Sequence, residues 1–164
     1  MVATTLQRAE SSPASALASV PTGALVVPPI AEASARRVRL SVVVPTYQEG
    51  RNIREIIARL GALLDEPLAG AYELIVVDDD SPDRTWEIAQ SLTSQQPCVR
   101  VMRRRSERGL SSAVIRGWQA ARGDVLAVID ADLQHPPEVT VDLWREMDRG
   151  ADLPSPAATS KAAA

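Results

Sequence analysis

Val125-Leu126-Ala127-Val128-Ile129-Asp130-Ala131-Asp132 is an apolar run of five residues that stops at two carboxylates one small residue apart. Its length and β-branched content suit a strand buried on both faces, as in parallel sheets. Three runs of the same kind precede it. Leu40-Ser41-Val42-Val43-Val44 ends at Pro45, Leu74-Ile75-Val76-Val77 ends at Asp78-Asp79-Asp80, and Val99-Arg100-Val101-Met102 leads into a cluster of arginines. Segments of helical period fill the gaps. Ile53, Ile56, Ile57, Leu60, Leu63 and Leu64 share one helix face, with Asn52 as N-cap and Glu55 as its capping-box partner. Thr85, Ile88, Ala89 and Leu92 form a second stripe after Ser81-Pro82, and Val114, Gly117, Trp118 and Ala121 a third. A fourth helix begins near Pro137 with Val139, Leu143 and Met147 facing inward. The β-α-β-α-β-α-β order predicts an α/β fold: a mostly parallel sheet with right-handed crossovers and helices over its faces. Ligands of such sheets bind outside the carboxyl ends of the strands, which directs attention to Pro45–Glu49, Asp78–Asp80 and Asp130–Gln134.

The chain has 164 residues, 45% hydrophobic and 24% charged, with a formal net charge of −3, the profile of one modest domain. No apolar run approaches the roughly 18 residues that a membrane-spanning helix needs, so any membrane contact is peripheral. A single cysteine, Cys98, closes no internal disulfide and fits a reducing compartment; with a single histidine, His135, no Cys/His zinc site can form. The slightly acidic balance disfavours nucleic acid as the main partner. Residues 1–37, rich in Ala, Ser and Pro, read as a disordered leader, 38–150 as the folded domain and 151–164 as a flexible tail. Leu25-Val26-Val27, closed by Pro28-Pro29, is too short for a secretory signal core.

Adjacent unit charges about 4 Å apart repel by roughly 1 kcal/mol in water and more where solvent is excluded, so Asp78-Asp79-Asp80 calls for something cationic or hydrogen-bonding to offset it. A blander reading has alternate residues pointing apart, one capping the next helix and another solvated. Asp130-Ala131-Asp132, followed by Leu133 and Gln134, suits a clamp for a hard divalent cation on a diphosphate, although such triplets also cap turns. Tyr47 and Glu49 fit stacking and hydroxyl recognition beside a nucleoside, or a solvated loop. Gly109-Leu110-Ser111-Ser112 could offer backbone N–H groups to a phosphate or simply pack. The arginines from Arg103 to Arg108 read as a solvated loop, or as an attractor for phosphate or anionic lipid. His135, before Pro136-Pro137, shapes a turn.

Val-Val-Val-Pro-Thr-Tyr-Gln-Glu (42–49), Ile-Val-Val-Asp-Asp-Asp-Ser-Pro-Asp-Arg-Thr (75–85), Arg-Gly-Leu-Ser-Ser-Ala-Val-Ile-Arg-Gly-Trp (108–118) and the stretch from Ala121 to Glu138 together resemble the family-2 glycosyltransferases. The nearest branch is that of polyprenyl- or dolichyl-phosphate mannose and glucose synthases. The resemblance implies the nucleotide-binding half of a GT-A, Rossmann-like fold. It places Pro45, Tyr47 and Glu49 beside the nucleoside, Val77 and Asp79 near its base, and Asp130 and Ala131 on the nucleotide. It gives Asp130, Asp132 and Gln134 to Mg²⁺ or Mn²⁺ on the diphosphate, with Asp132 as the catalytic carboxylate. A nucleotide-sugar donor and a polyprenyl phosphate acceptor are the implied partners, with inversion at the anomeric carbon and a cytoplasmic location, peripheral on the membrane face. Gln48 stands where the pattern has Asn, and Gly150-Ala151-Asp152-Leu153 runs into Pro154-Ser155-Pro156 where the pattern continues into the acceptor-binding half. That departure suggests a truncated copy, for which nucleotide binding without transfer is the alternative.

Two other classes fit less well. A phosphoacceptor receiver domain leaves the strand at 39–44 without a place, and its lysine has no counterpart, since the only one here is Lys161 in the tail. A dinucleotide-binding domain lacks its G-x-G-x-x-G after the first strand.

Overall fold

The computed structural model describes residues 6–8, 24–25 and 37–150. Its strands are β1 (Leu6–Arg8), β2 (Leu40–Thr46), β3 (Tyr72–Asp78), β4 (Val99–Arg103) and β5 (Val125–Val128). Its helices are α1 (Ile53–Leu68), α2 (Thr85–Leu92), α3 (Leu110–Ala120) and α4 (Glu138–Asp148). The five strands form one sheet in the order β1-β5-β2-β3-β4, with β5, β2, β3 and β4 parallel.

β2 and β3 are buried along their whole length, which is why their sequences show an unbroken apolar run in place of alternation. The pleat divides that run between two cores. Val42, Val44, Leu74 and Val76 pack with α1, α2 and α4, while Val43, Ile75 and Val77 pack with α3 on the opposite face. From β2 the chain winds outward through α1 to β3 and α2 to β4. It then crosses back over the other face through α3 to reach β5 on the far side of β2. This reversal opens a crevice between the carboxyl ends of β2 and β5.

Helix α1 follows its predicted stripe: Ile53, Ile56, Ile57, Leu60 and Leu64 are fully buried and Leu63 is partly so. Burying one such side chain is worth about 1.5–3 kcal/mol, so this face dominates the helix's stability. The expected capping box does not form. Asn52 has helical backbone angles and its side chain makes no cap bond; its amide instead donates to Glu49 Oε2 at 2.8 Å.

The inward face of α3 is rotated by about one residue from expectation. Ala113, Arg116, Gly117 and Ala120 are buried, while Val114 and Trp118 flank the contact. The cause is a close approach of helix to sheet that small residues alone permit. A Cβ on Gly117 would lie 2.4 Å from Val43 Cγ1 and 2.7 Å from its Cγ2. Both are atoms of a stiff β-branched side chain on a central strand. Gly117→Ala is therefore expected to destabilise the domain by about 1–3 kcal/mol despite its better helix propensity. Urea unfolding should show a lower midpoint at unchanged slope.

The leader reading needs revision at one point. Leu6–Arg8 pairs antiparallel with β5, matching Leu6 with Ala127 and Arg8 with Val125, and so covers an edge that would otherwise expose unpaired backbone groups. The remainder of the leader, apart from residues 24–25 and Arg37, and the expected tail at 151–164 lie outside the described residues. No helix among the described residues is long and apolar enough to cross a membrane.

Candidate functional site

A cleft of about 600 Å³ opens where the carboxyl ends of β2, β3 and β5 meet the start of α3. Pro45, Tyr47 and Glu49 reach it from the end of β2, Asp79 from the end of β3, and Asp130, Ala131, Asp132 and Gln134 from the loop after β5. Of the residues that the family resemblance gives to the nucleotide and the metal, Val77 alone is off this wall, fully buried beneath α3. Thr46, Arg108, Leu110, Ala113 and His135 also line the cleft.

The three consecutive aspartates have three different fates. Asp78 is fully buried; its Oδ1 accepts from Ser81 N at 2.8 Å, and its Oδ2 accepts from Ser81 Oγ at 2.6 Å and Thr46 Oγ1 at 3.0 Å. It ties the ends of β2 and β3 together. Asp79 accepts from Arg104 Nε at 2.7 Å through Oδ1 and from Gly109 N at 2.8 Å through Oδ2. Asp80 accepts from Arg103 Nε at 2.5 Å, and that guanidinium stacks 3.8 Å from the centre of the Trp86 ring. The repulsion is therefore offset by two arginines and two hydroxyls, and none of the three serves as the helix cap. The N-cap position is Arg84, without a side-chain cap bond, and the residue before it, Asp83, accepts from Thr85 N and Oγ1 and, through its other oxygen, from Gly50 N. Burial would raise the Asp83 pKa, but the Thr85 hydroxyl and these backbone N–H donors outweigh it and hold the carboxyl below its usual range.

Part of the arginine run that read as a solvated loop is consequently internal. Arg104 is buried and carboxylate-paired and Arg103 is half-buried on Asp80, while Arg105 is exposed. Arg108 stays exposed at the cleft rim, with its guanidinium 5.7 Å from the centre of the Tyr47 ring. Gly109, considered as a phosphate donor, spends its N–H on Asp79. Signals for the Asp79–Arg104 pair were present: a run of three carboxylates needing a cation, and arginines ending the neighbouring strand.

Backbone strain gathers around the same loops. Gln48, Asp80 and Leu133 follow β2, β3 and β5 and all have positive φ, 61°, 54° and 59° respectively. Such angles cost of order 1 kcal/mol or more outside glycine and concentrate at functional sites. Asn adopts this region more readily than other non-glycine residues, which gives a physical reason for an Asn in the position of Gln48. The turn at Leu133 brings Gln134 N to 3.0 Å from Asp132 Oδ1.

The two acidic ends of the cleft differ in charge balance. Asp79 faces a buried guanidinium, whereas burial and then the neighbouring Asp132 charge push the Asp130 pKa above its ordinary value, against a smaller lowering by His135. No cluster of three or more His, Cys, Asp or Glu side chains arranged for a metal occurs among the described residues. Two carboxylates and the Gln134 amide suit a cation that takes its other ligands from water and a substrate diphosphate, as Mg²⁺ does. His135 Nδ1 is buried at the cleft without a partner.

This doubly wound sheet, with a cleft at its switch point, has the architecture of part of a GT-A glycosyltransferase fold. A mannosyltransferase from Pyrobaculum calidifontis, solved in complex with GDP-Man and Mn²⁺, superposes with a TM-score of 0.55 at 26% identity over 73% of this chain and 34% of its own. The chain belongs to glycosyl transferase family 2, whose pattern matches residues 41–161. It is 54% identical over 116 residues to a dolichol-phosphate mannosyltransferase of Pyrococcus furiosus, covering 70% of this chain and 32% of the relative. It is 35% identical over 116 residues to an undecaprenyl-phosphate 4-deoxy-4-formamido-L-arabinose transferase of Pseudomonas paraeruginosa, covering 70% of this chain and 34% of the relative. The chain thus spans about a third of the length of these curated relatives.

Proposed function

We propose that the cleft binds a nucleotide-diphosphate sugar of the GDP-mannose or UDP-glucose type and that the protein passes the hexose to a polyprenyl phosphate. The observation that carries this reading is the cleft's polarity: a carboxylate paired with a buried arginine at the β3 end, and two neighbouring carboxylates with the Gln134 amide at the β5 end. A nucleoside diphosphate bound with a divalent cation has the complementary polarity. Pro45, Tyr47 and Glu49 flank the nucleoside, Asp79 accepts from its base, and Val77 supports that wall from behind. Asp130 and Ala131 meet the nucleotide, and Asp130, Asp132 and Gln134 hold Mg²⁺ or Mn²⁺, with Asp132 as the catalytic carboxylate. When bound, the metal acts as a Lewis acid on the leaving diphosphate. The acceptor phosphate oxygen attacks the anomeric carbon from the face opposite the leaving group, with inversion. An acceptor of this class brings the open side of the cleft to a membrane, as a peripheral contact on its cytoplasmic face.

The test is thermal unfolding of the purified chain with GDP or UDP, each with and without Mn²⁺. A ligand at about 100 times its dissociation constant adds roughly 2.7 kcal/mol to a folded binder. A rise with metal and one nucleotide together, and with neither alone, is expected, and the nucleotide that acts names the base. No rise with either pair would sink the reading. Hexose transfer from the matching donor to a polyprenyl phosphate then separates an enzyme from a protein that binds nucleotide without turnover.

A further inference from the structure

We infer that Arg104 is a positioning residue for nucleoside recognition: it fixes the orientation of the Asp79 carboxylate and, with the same guanidinium, the cleft wall formed by the start of α3. This rests on the donor reading above. The Arg104 side chain is 4% exposed and spends its donors on both structures. Nε donates to Asp79 Oδ1 at 2.7 Å, and Nη2 bridges the same oxygen and Gly109 O, the latter at 3.0 Å. Nη1 donates to Ser112 Oγ at 2.9 Å and reaches Glu107 Oε2 at 3.4 Å. With Gly109 N held on Asp79 Oδ2, both carboxylate oxygens are anchored from behind. Oδ1 is filled by the two guanidinium donors, and Oδ2 keeps one lone pair for the cleft, which Asp79 lines.

An arginine-paired carboxylate is an acceptor only. The ligand group it suits is a heterocycle presenting a ring N–H, as guanine and uracil do, and the precision of that contact depends on the fork behind it. Lysine cannot substitute, because an ammonium has three donors and no planar geometry to bridge Asp79, Gly109 and Ser112 together. The diphosphate end, built on the loop after β5, shares none of these bonds.

The experiment compares Mn²⁺-dependent binding of GDP, UDP and inorganic pyrophosphate to the full chain and to Arg104→Gln and Arg104→Lys, with thermal unfolding as the folding control. Pyrophosphate carries the metal-bound charge and no base. Both variants are expected to lose about tenfold or more in affinity for the nucleotide that the unsubstituted chain binds, the consequence of a loosened charge-assisted contact. Pyrophosphate affinity should stay within about twofold. Equal losses for nucleotide and pyrophosphate would show a merely structural arginine, and unchanged nucleotide affinity in either variant would overturn the inference outright. Should Arg104→Gln fail to fold, the comparison is decided on Arg104→Lys, which keeps the buried charge against Asp79. Failure of the parent reading has its own signature, an unsubstituted chain that binds neither nucleotide with Mn²⁺.

Discussion

Asp132→Ala is expected to abolish metal-dependent nucleotide binding while leaving the domain folded. Asp132 is half-buried, and its recorded bond is an acceptance from Gln134 N in an exposed turn, so truncation removes little from the folded state. Substitutions at such positions change stability by about 0.5 kcal/mol or less. The effect on binding is of another order, because among the described residues a cation at this end of the cleft has two carboxylates and one amide to hold it. Removing one carboxylate leaves Asp130 as the sole carboxylate for the cation at this end, and a hard cation that loses one of its two protein charges no longer bridges protein and diphosphate firmly. The stabilisation of roughly 2.7 kcal/mol by saturating Mn²⁺ and nucleotide should disappear from the thermal unfolding curve, with the unliganded midpoint almost unmoved. Retention of the metal-dependent rise in Asp132→Ala would show that the clamp lies elsewhere.

Features carried by local pattern were readable before the fold was known. Four apolar runs, the α1 stripe from Ile53 to Leu64 and the acidic ends of two strands all report the burial of one residue against a generic surface, which is what periodicity measures. The readings that failed depend on distance of approach or on partners remote in sequence. The face of α3 turned because Gly117 allows a contact with Val43 that no larger residue permits, and hydropathy ranks Trp118 above Gly117 regardless. Asn52 satisfies Glu49 in place of its own helix because the loop after β2 is stitched to the loop after β3 by Gln48 N on Ser81 Oγ and Glu49 N on Thr85 Oγ1. Arg104 looked like a solvated charge because its partner, Asp79, lies 25 residues away. Only the parallel pairing of β3 with β4, which sets Asp78 beside Arg103, brings the acidic and basic runs together. The cleft was legible because the rule that ligands bind outside the carboxyl ends of parallel strands needs only the alternation of strands and helices. The ion pairs that shape it needed register.

Glu73→Ala is expected to cost the domain about 3–5 kcal/mol, the largest stability effect of any single substitution considered, and to leave the cleft's affinity intact wherever the protein remains folded. Glu73 is fully buried near the amino end of β3, at the opposite end of the sheet from the cleft. Its Oε1 accepts from Ser41 Oγ at 2.7 Å and Arg122 N at 2.8 Å, and its Oε2 from Arg100 Nη1 at 2.8 Å and Arg122 Nε at 2.9 Å. Arg100 also donates to Ala120 O at 2.9 Å, and Ser41 Oγ accepts from Gly123 N at 2.9 Å. One carboxylate therefore joins β2, β3, β4 and the link from α3 to β5. Its removal takes from the Arg100 guanidinium, 3% exposed, the carboxylate that balances its charge, against a total stability of about 5–15 kcal/mol for a domain of this kind. Burial by itself would raise the Glu73 pKa, but the Ser41 hydroxyl, the Arg122 backbone N–H and the two guanidinium groups together bring it below the ordinary 4.5. A carboxyl whose pKa is lower in the folded state stabilises fully above its unfolded pKa, and that contribution is lost as pH falls through the folded value. The native chain should accordingly lose stability steeply below about pH 4.5, and Glu73→Ala should be less stable at neutral pH with a flatter acid limb. Urea titrations from pH 7 to pH 3 measure both. Parallel limbs in the two proteins would mean that the acid sensitivity resides in other carboxylates, and a neutral-pH loss under about 1 kcal/mol would mean that the buried arginines find compensation without Glu73.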